Sequence, residues 1–242
     1  MRRETQNILL LLIGGALLKI ALTGTYLRYV KPAHQPWLIG AAVVMVVLAA
    51  IAIVHDVRAA RPGAEPPHDL HDPDHEHNHS ARSSWLLLLP VLSIFLVLPP
   101  ALGADSVRRA PTASTTTAES ALYPALPPDD LLAITMADFS SRAAFDRANS
   151  LNGRRVLLTG FIVQDADRVY LARLSIACCA ADAFPVRVLL TGNAAAGLSN
   201  DTWVRVTGTL VAGSATKENE YVPALDPAAL TRITEPENPY EG

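Results

Sequence analysis

Three apolar runs crowd the first hundred residues of this chain, and each is long enough to cross the roughly 30 Å hydrocarbon core of a bilayer. Ile8–Val30 is apolar along most of its length with Lys19 inside it, Leu38–Val54 is wholly apolar, and Trp85–Leu102 is apolar with prolines at 90, 99 and 100. Backbone amides in hydrocarbon must find their partners within the segment, so runs of this kind are helices. The sequence therefore predicts two transmembrane helices (8–30 and 38–54) within residues 1–57, a loop over 58–84, and a third helix over 85–102. Trp37 and Trp85 stand where the second and third runs begin, as expected of indoles at the headgroup level.

Arg2 and Arg3 before an apolar run suggest a signal peptide, but the run is long, holds Lys19 and lacks a small-residue cleavage site, so its retention is expected. With three crossings, one side carries Arg2, Arg3, Arg58, Arg61 and Arg82, and the other Arg28, Lys31, Arg108 and Arg109. Five against four favours a cytoplasmic N-terminus and an extracytoplasmic C-terminal domain. A net charge of −3 argues against a nucleic-acid partner.

Beyond the third run the composition changes twice. Residues 103–133 are threaded with Ala, Ser, Thr and Pro and cannot bury a core, which predicts a flexible linker. From Ile134 a short helix over Phe139–Ser150 and a turn at Asn152-Gly153 lead into strand-like runs at Val156–Val163, Val169–Ile176, Pro185–Leu190 and Trp203–Val211. A last strand falls at Tyr221-Val222 or at Leu230–Ile233. The fold class is thus a helical membrane part followed by a small, mainly-β domain over 134–242, built as a five-stranded barrel of the oligonucleotide/oligosaccharide-binding (OB) type. Phe161, Leu171, Val188 and Val206 are its expected core, and Gly160 and Gly208 mark bulges or bends that close it.

The only two cysteines are adjacent, in Ile176-Ala177-Cys178-Cys179-Ala180-Ala181-Asp182. On an extended strand they would face opposite ways, so they act together only if the backbone turns, and Ala-Ala-Asp suggests that it does. Reduced thiols at a turn could bind a soft transition metal such as zinc or copper(I), with Asp182 as a third ligand. A vicinal disulfide would be strained, since adjacent Cα atoms lie about 3.8 Å apart against the usual range of roughly 4.4–6.8 Å. A thioredoxin-type enzyme lacks its two-residue spacer and βαβ setting. The bland alternative is one small core hydrophobe and one turn residue.

Other candidates lie apart from this pair. His68, His71, His75, His77 and His79, interleaved with carboxylates, could hold zinc, nickel or copper(II) loosely, or be a solvated loop. Lys19 within a span is expensive unless paired, and no acidic residue lies in the three runs, which predicts a polar group on another subunit. Arg173 and Arg187 flank the cysteines and could lower a thiol pKa or contact a partner or anion. No phosphate loop, serine elbow or zincin pattern occurs.

Gly160-Phe161, Leu171-Ala172-Arg173, the block Cys178 to Ala183, Asp201-Thr202-Trp203-Val204 and the terminal Pro236-x-x-Pro239-Tyr240 together resemble the YcgQ-like family of bacterial membrane proteins described as permease subunits. The resemblance covers about half the chain. It implies a subunit of the bacterial cell membrane that is made beside, and acts with, a larger multi-spanning permease. The residues themselves, in a non-enzymatic reading, put Lys19 forward as the point that docks the helices and Arg173, Cys178, Cys179 and Asp182 as the groups that meet the partner or its cargo. The resemblance implies no established reaction, and the one cofactor that the residues themselves suggest is a transition metal such as zinc. The alternatives are a stand-alone metal-handling membrane protein, using the histidines for capture and the thiols for transfer, and a membrane-tethered thiol redox protein.

Overall fold

The computed structural model describes residues 3–59, 96, 100–110 and 123–241. They divide into two compact units, Met1–Tyr26 with Pro32–Pro100 and Leu27–Lys31 with Ala101–Gly242.

In the first unit, α1 (Arg3–Leu22) and α2 (Gln35–Ala59) form a hairpin closed along a seam of small residues. Asn7, Gly14 and Ala21 recur every seven residues on α1, and Ala42 and Ala49 do so on α2; all five are buried. Seven residues are close to two helical turns, so each set stays on one stripe. A Cβ at Gly14 would stand 2.9 Å from Val46 Cγ2 and 3.2 Å from Met45 Cβ, so the backbones approach here because there is no side chain. Polar bonds pin both ends: Asn7 Nδ2 donates to Asp56 Oδ2 at 3.0 Å, and Gln35 Nε2 donates to the Ala21 carbonyl at 3.1 Å. Val43, Val44, Val47, Leu48, Ile51 and Val54 of α2 remain exposed.

Among the described residues, one helix, Pro32–Arg58, is long and apolar enough to cross a membrane, while the apolar helix Gln6–Leu22 is shorter. Of the three expected spans, the described residues thus show one helix with the length and composition to cross. The first run stops at Leu22 rather than Val30, because Gly24 turns the chain at φ +77 and two short 3₁₀ segments follow. Lys19 consequently lies in the last turn of α1, not at mid-span. The third run lies outside the described residues except for Leu96 and residues 100–102.

The second unit is a seven-stranded mixed sheet: β1 (Leu131–Ala133), β2 (Arg155–Asp165), β3 (Arg168–Ser175), β4 (Phe184–Leu190), β5 (Trp203–Leu210), β6 (Ala224–Arg232) and β7 (Tyr240–Glu241). β2 pairs antiparallel with β3 and β5, β3 with β4, and β5 with β6; β4 and β6 are parallel at Leu189↔Ala224, so the pairings run from β2 through β3, β4, β6 and β5 back to β2. Five strands were expected. The two extra ones are short parallel additions, β1 beside β2 and β7 beside β3. α3 (Ala104–Arg109) and β1 fall within the stretch read as linker, and α4 (Met136–Phe145) starts before the expected helix, capped by the Thr135 side chain, which accepts from Asp138 N.

Leu132, Met136, Phe139, Leu158, Ile162, Leu171, Val188, Val206 and Leu225 share one core, while Phe161, Val163, Ala172, Leu174 and Tyr240 join Ala104 and Val107 of α3 in a second. The four core residues expected from sequence are all buried. Gly208 sits at a break in register between β5 and β6, opposite Pro227, where a bulge tolerates proline. Gly160 permits close approach instead: a Cβ there would be 2.5 Å from the Ala172 carbonyl oxygen.

Candidate thiol site

Between β3 and β4 the chain makes a tight loop ending in a 3₁₀ turn over Ala180–Asp182. One carboxylate organises it. Asp182 Oδ1 accepts from Ala177 N at 2.7 Å, and Oδ2 accepts from Cys178 N at 2.8 Å and Cys179 N at 3.1 Å. Three successive amides converging on one side chain bend the backbone through the cysteines. That removes the opposite-face objection: the two Sγ atoms and an Asp182 oxygen all lie within 4.8 Å of one another. Both thiols are free, Cys178 exposed and Cys179 half-buried. The Cys178 thiol donates to Asp182 and lies beside Cys179, which pushes its pKa up to about 11. The same thiol bond, together with the backbone amides, holds the Asp182 carboxyl well below the usual carboxylate range.

A third strand of chain braces the loop. Val30 bridges Cys179 in antiparallel fashion, Lys31 N donates to the Cys178 carbonyl at 3.2 Å, and Ala180 N donates to the Tyr29 carbonyl at 2.7 Å. Residues 27–31 belong to the β-domain unit although α1 precedes and α2 follows them in sequence. Sequence reading missed this, because a three-residue pairing across so long a separation has no periodic signature.

The terminal motif is a staple. Arg173, with 14 % of its side chain exposed, is 3.8 Å from the Glu241 carboxylate and donates to the carbonyls of Asn238 at 2.9 Å and of Pro239, Tyr240 and Thr159 at 3.4 Å. The Tyr240 hydroxyl donates to the Arg28 carbonyl at 3.1 Å and accepts from Leu102 N at 3.2 Å. Glu241 accepts from Met136 N at 2.9 Å and Ala137 N at 3.1 Å, at the start of α4. Burial pushes the Tyr240 and Glu241 pKa values up and that of Arg173 down. The guanidinium is thus engaged with the C-terminal tail.

Among the described residues, Cys178, Cys179 and Asp182 are the one group with metal-ligand geometry. Two sulfurs bonded to one ion at about 2.3 Å each are at most about 4.6 Å apart, so the pair needs little movement to share an ion. His68, His71, His75, His77 and His79 lie outside the described residues.

These features define a class: a chain with an apolar N-terminal helix and a mixed-sheet domain that displays vicinal thiols on a braced loop. The chain belongs to the DUF1980 family, whose N-terminal domain matches residues 5–110 and whose C-terminal domain matches residues 130–241. No curated protein matches it, and no solved structure does.

Proposed function

We propose that this protein is a membrane-anchored accessory subunit of a bacterial transport complex, of the YcgQ-like permease-subunit type, whose β domain offers the cysteine pair to a metal cargo. The convergence of both Sγ atoms and the Asp182 carboxylate within 4.8 Å on an exposed turn carries this reading. The circuit of five strand pairings, with its one parallel contact between β4 and β6, has the order of an OB barrel, and this supports assigning the domain to that type. A thiol redox enzyme fits less well. Such chemistry needs a thiol with a depressed pKa, and that of Cys178 is raised.

Chain connectivity supports a multi-pass arrangement. Tyr29–Lys31 pair with the cysteine loop just ahead of α2. If α2 crosses the bilayer, the chain leaves it near Ala59 on the side opposite its start at Gln35. The chain then has to recross before the β domain begins at Ala101, and the apolar run 85–102 has the length and composition to do so.

Lys19, exposed in the last turn of α1, is the proposed docking point for the larger subunit. Extracted in mild detergent from its native membrane, the tagged chain should bring with it a multi-spanning permease in fixed stoichiometry, and Lys19→Met should release that partner. Recovery as a lone monodisperse protein would remove the subunit reading in favour of stand-alone metal handling.

A further inference from the structure

We infer that the Cys178-Cys179 turn takes a soft monovalent ion of the copper(I) class, held by its two sulfurs alone, and that Asp182 is a positioning residue rather than a ligand. This rests on the proposed role of the thiols in cargo binding.

Ligand counting comes first. Zinc sites are almost always four-coordinate, or keep three protein ligands and one open position. The chain has two cysteines, and the third ligand atom near them among the described residues is an Asp182 oxygen. That carboxylate is already occupied. A carboxylate offers about four lone-pair sites, and Asp182 uses three on the amides of Ala177, Cys178 and Cys179. Turning it toward a cation would release the amides that hold the two sulfurs together. A hard oxygen also adds little for a soft ion, whereas thiolates select one.

The frame around the loop argues the same way. Backbone bonds from Lys31 and to Tyr29 fix it on either side of the cysteines, so it is not free to wrap further groups around an ion. A separation within 4.8 Å lets both sulfurs reach one ion with little movement. Exposure of Cys178 leaves the ion reachable for transfer. Binding converts one Cu⁺ and two thiols into a bis-thiolate Cu(SR)₂⁻ and releases two protons to solvent, with no change of oxidation state.

The test uses the full-length reduced chain in detergent under anaerobic conditions, titrated separately with copper(I) and zinc(II). The Cys178→Ser/Cys179→Ser double variant serves as the baseline that subtracts binding elsewhere. Expected are one copper(I) per chain above baseline, an X-ray absorption spectrum with two sulfur neighbours and no nitrogen or oxygen, and no zinc above baseline. Each single serine variant should lose more than the roughly 10–100-fold that outer-shell changes cost, and Asp182→Asn should stay within that range. Stoichiometric zinc with an oxygen neighbour that Asp182→Asn removes would overturn the ion assignment and leave the metal-cargo reading standing. Neither ion binding above baseline would overturn both.

Discussion

Asp182 sets the behaviour of the thiols through hydrogen bonds that the sequence does not reveal. Ala-Ala-Asp announced a turn, but not that one carboxylate would gather three amides and a thiol, since that depends on the φ and ψ angles of neighbouring residues rather than on residue type. The thiol bond makes Cys178 a poor nucleophile, and this can be measured. Relative to the native chain, Asp182→Asn combined with Cys179→Ser removes both partners and should let the Cys178 pKa fall from about 11 toward its ordinary 9.0. At pH 8 the thiolate fraction then rises by about a hundredfold. Lower basicity reduces intrinsic reactivity with a slope of about 0.4–0.5 per pKa unit, leaving a net acceleration of about tenfold in iodoacetamide alkylation. An unchanged rate would mean the thiol is not bonded to Asp182. The pH window follows from the two shifts. Asp182, with its pKa depressed, contributes stability that is full above the ordinary carboxylate range and is lost as pH falls below that range toward its lowered pKa. Cys178, with its pKa raised, contributes fully below about 9 and loses its contribution as pH rises through about 11. Amide exchange at residues 177–179, corrected for intrinsic rates, should therefore be slowest relative to the unfolded chain between those limits and lose its protection in Asp182→Asn.

Elements were legible where the run was long enough to stand out. β2 to β5 are runs rich in β-branched and aromatic residues between turn signals, and they fall within a few residues of expectation. β1 and β7 are too short to alternate, and both pair in parallel with strands distant in sequence. The helical seam was legible in principle. Asn7, Gly14 and Ala21 on α1 answer Ala42, Ala49 and Asp56 on α2 at the same seven-residue spacing, but three scattered glycines near the first run hid the pattern. The glycines make the sharpest element-scale test. A Cβ at Gly160 meets the Ala172 carbonyl oxygen at 2.5 Å, and one at Gly208 collides with the Asp226 carbonyl oxygen, both backbone atoms that cannot rotate away. Gly160→Ala and Gly208→Ala should each cost about 1–3 kcal/mol as overpacking. For a unit of about 150 residues that lowers Tm by about 2–4 °C for each kcal/mol, readable by thermal scanning of the solubilised chain. In the hairpin, Gly14→Leu should loosen α1 from α2 and increase its proteolysis. Gly15→Leu should not, since nothing stands within 4 Å of a Cβ at Gly15.

At the scale of the whole molecule, the decisive quantity is which face of the membrane the thiols meet. Positive charge alone decides little at five residues against four, whereas the bond between Tyr29 and Ala180 ties the question to α2. Tyr29, which accepts from Ala180 N, precedes Gln35 at the start of α2 by six positions in the sequence, and Arg58 lies in the last turn of that helix. A membrane-impermeant maleimide separates the two ends. Applied to intact, pre-reduced cells it should label the native thiols, whereas Arg58→Cys in a Cys178→Ser/Cys179→Ser background should label only after lysis. The reverse pattern would place the β domain in the cytoplasm, where thiols stay reduced and disulfide cycling has no standing oxidant. Labelling of both sites from outside would mean that α2 does not cross, removing the need for a second crossing between residues 59 and 101. A dependence of native labelling on the prior reductant would reveal Cys178–Cys179 oxidation in the cell. Adjacent Cα atoms about 3.8 Å apart make such a bond strained and easily reduced, so copper(I) held by both sulfurs should protect the pair from forming it.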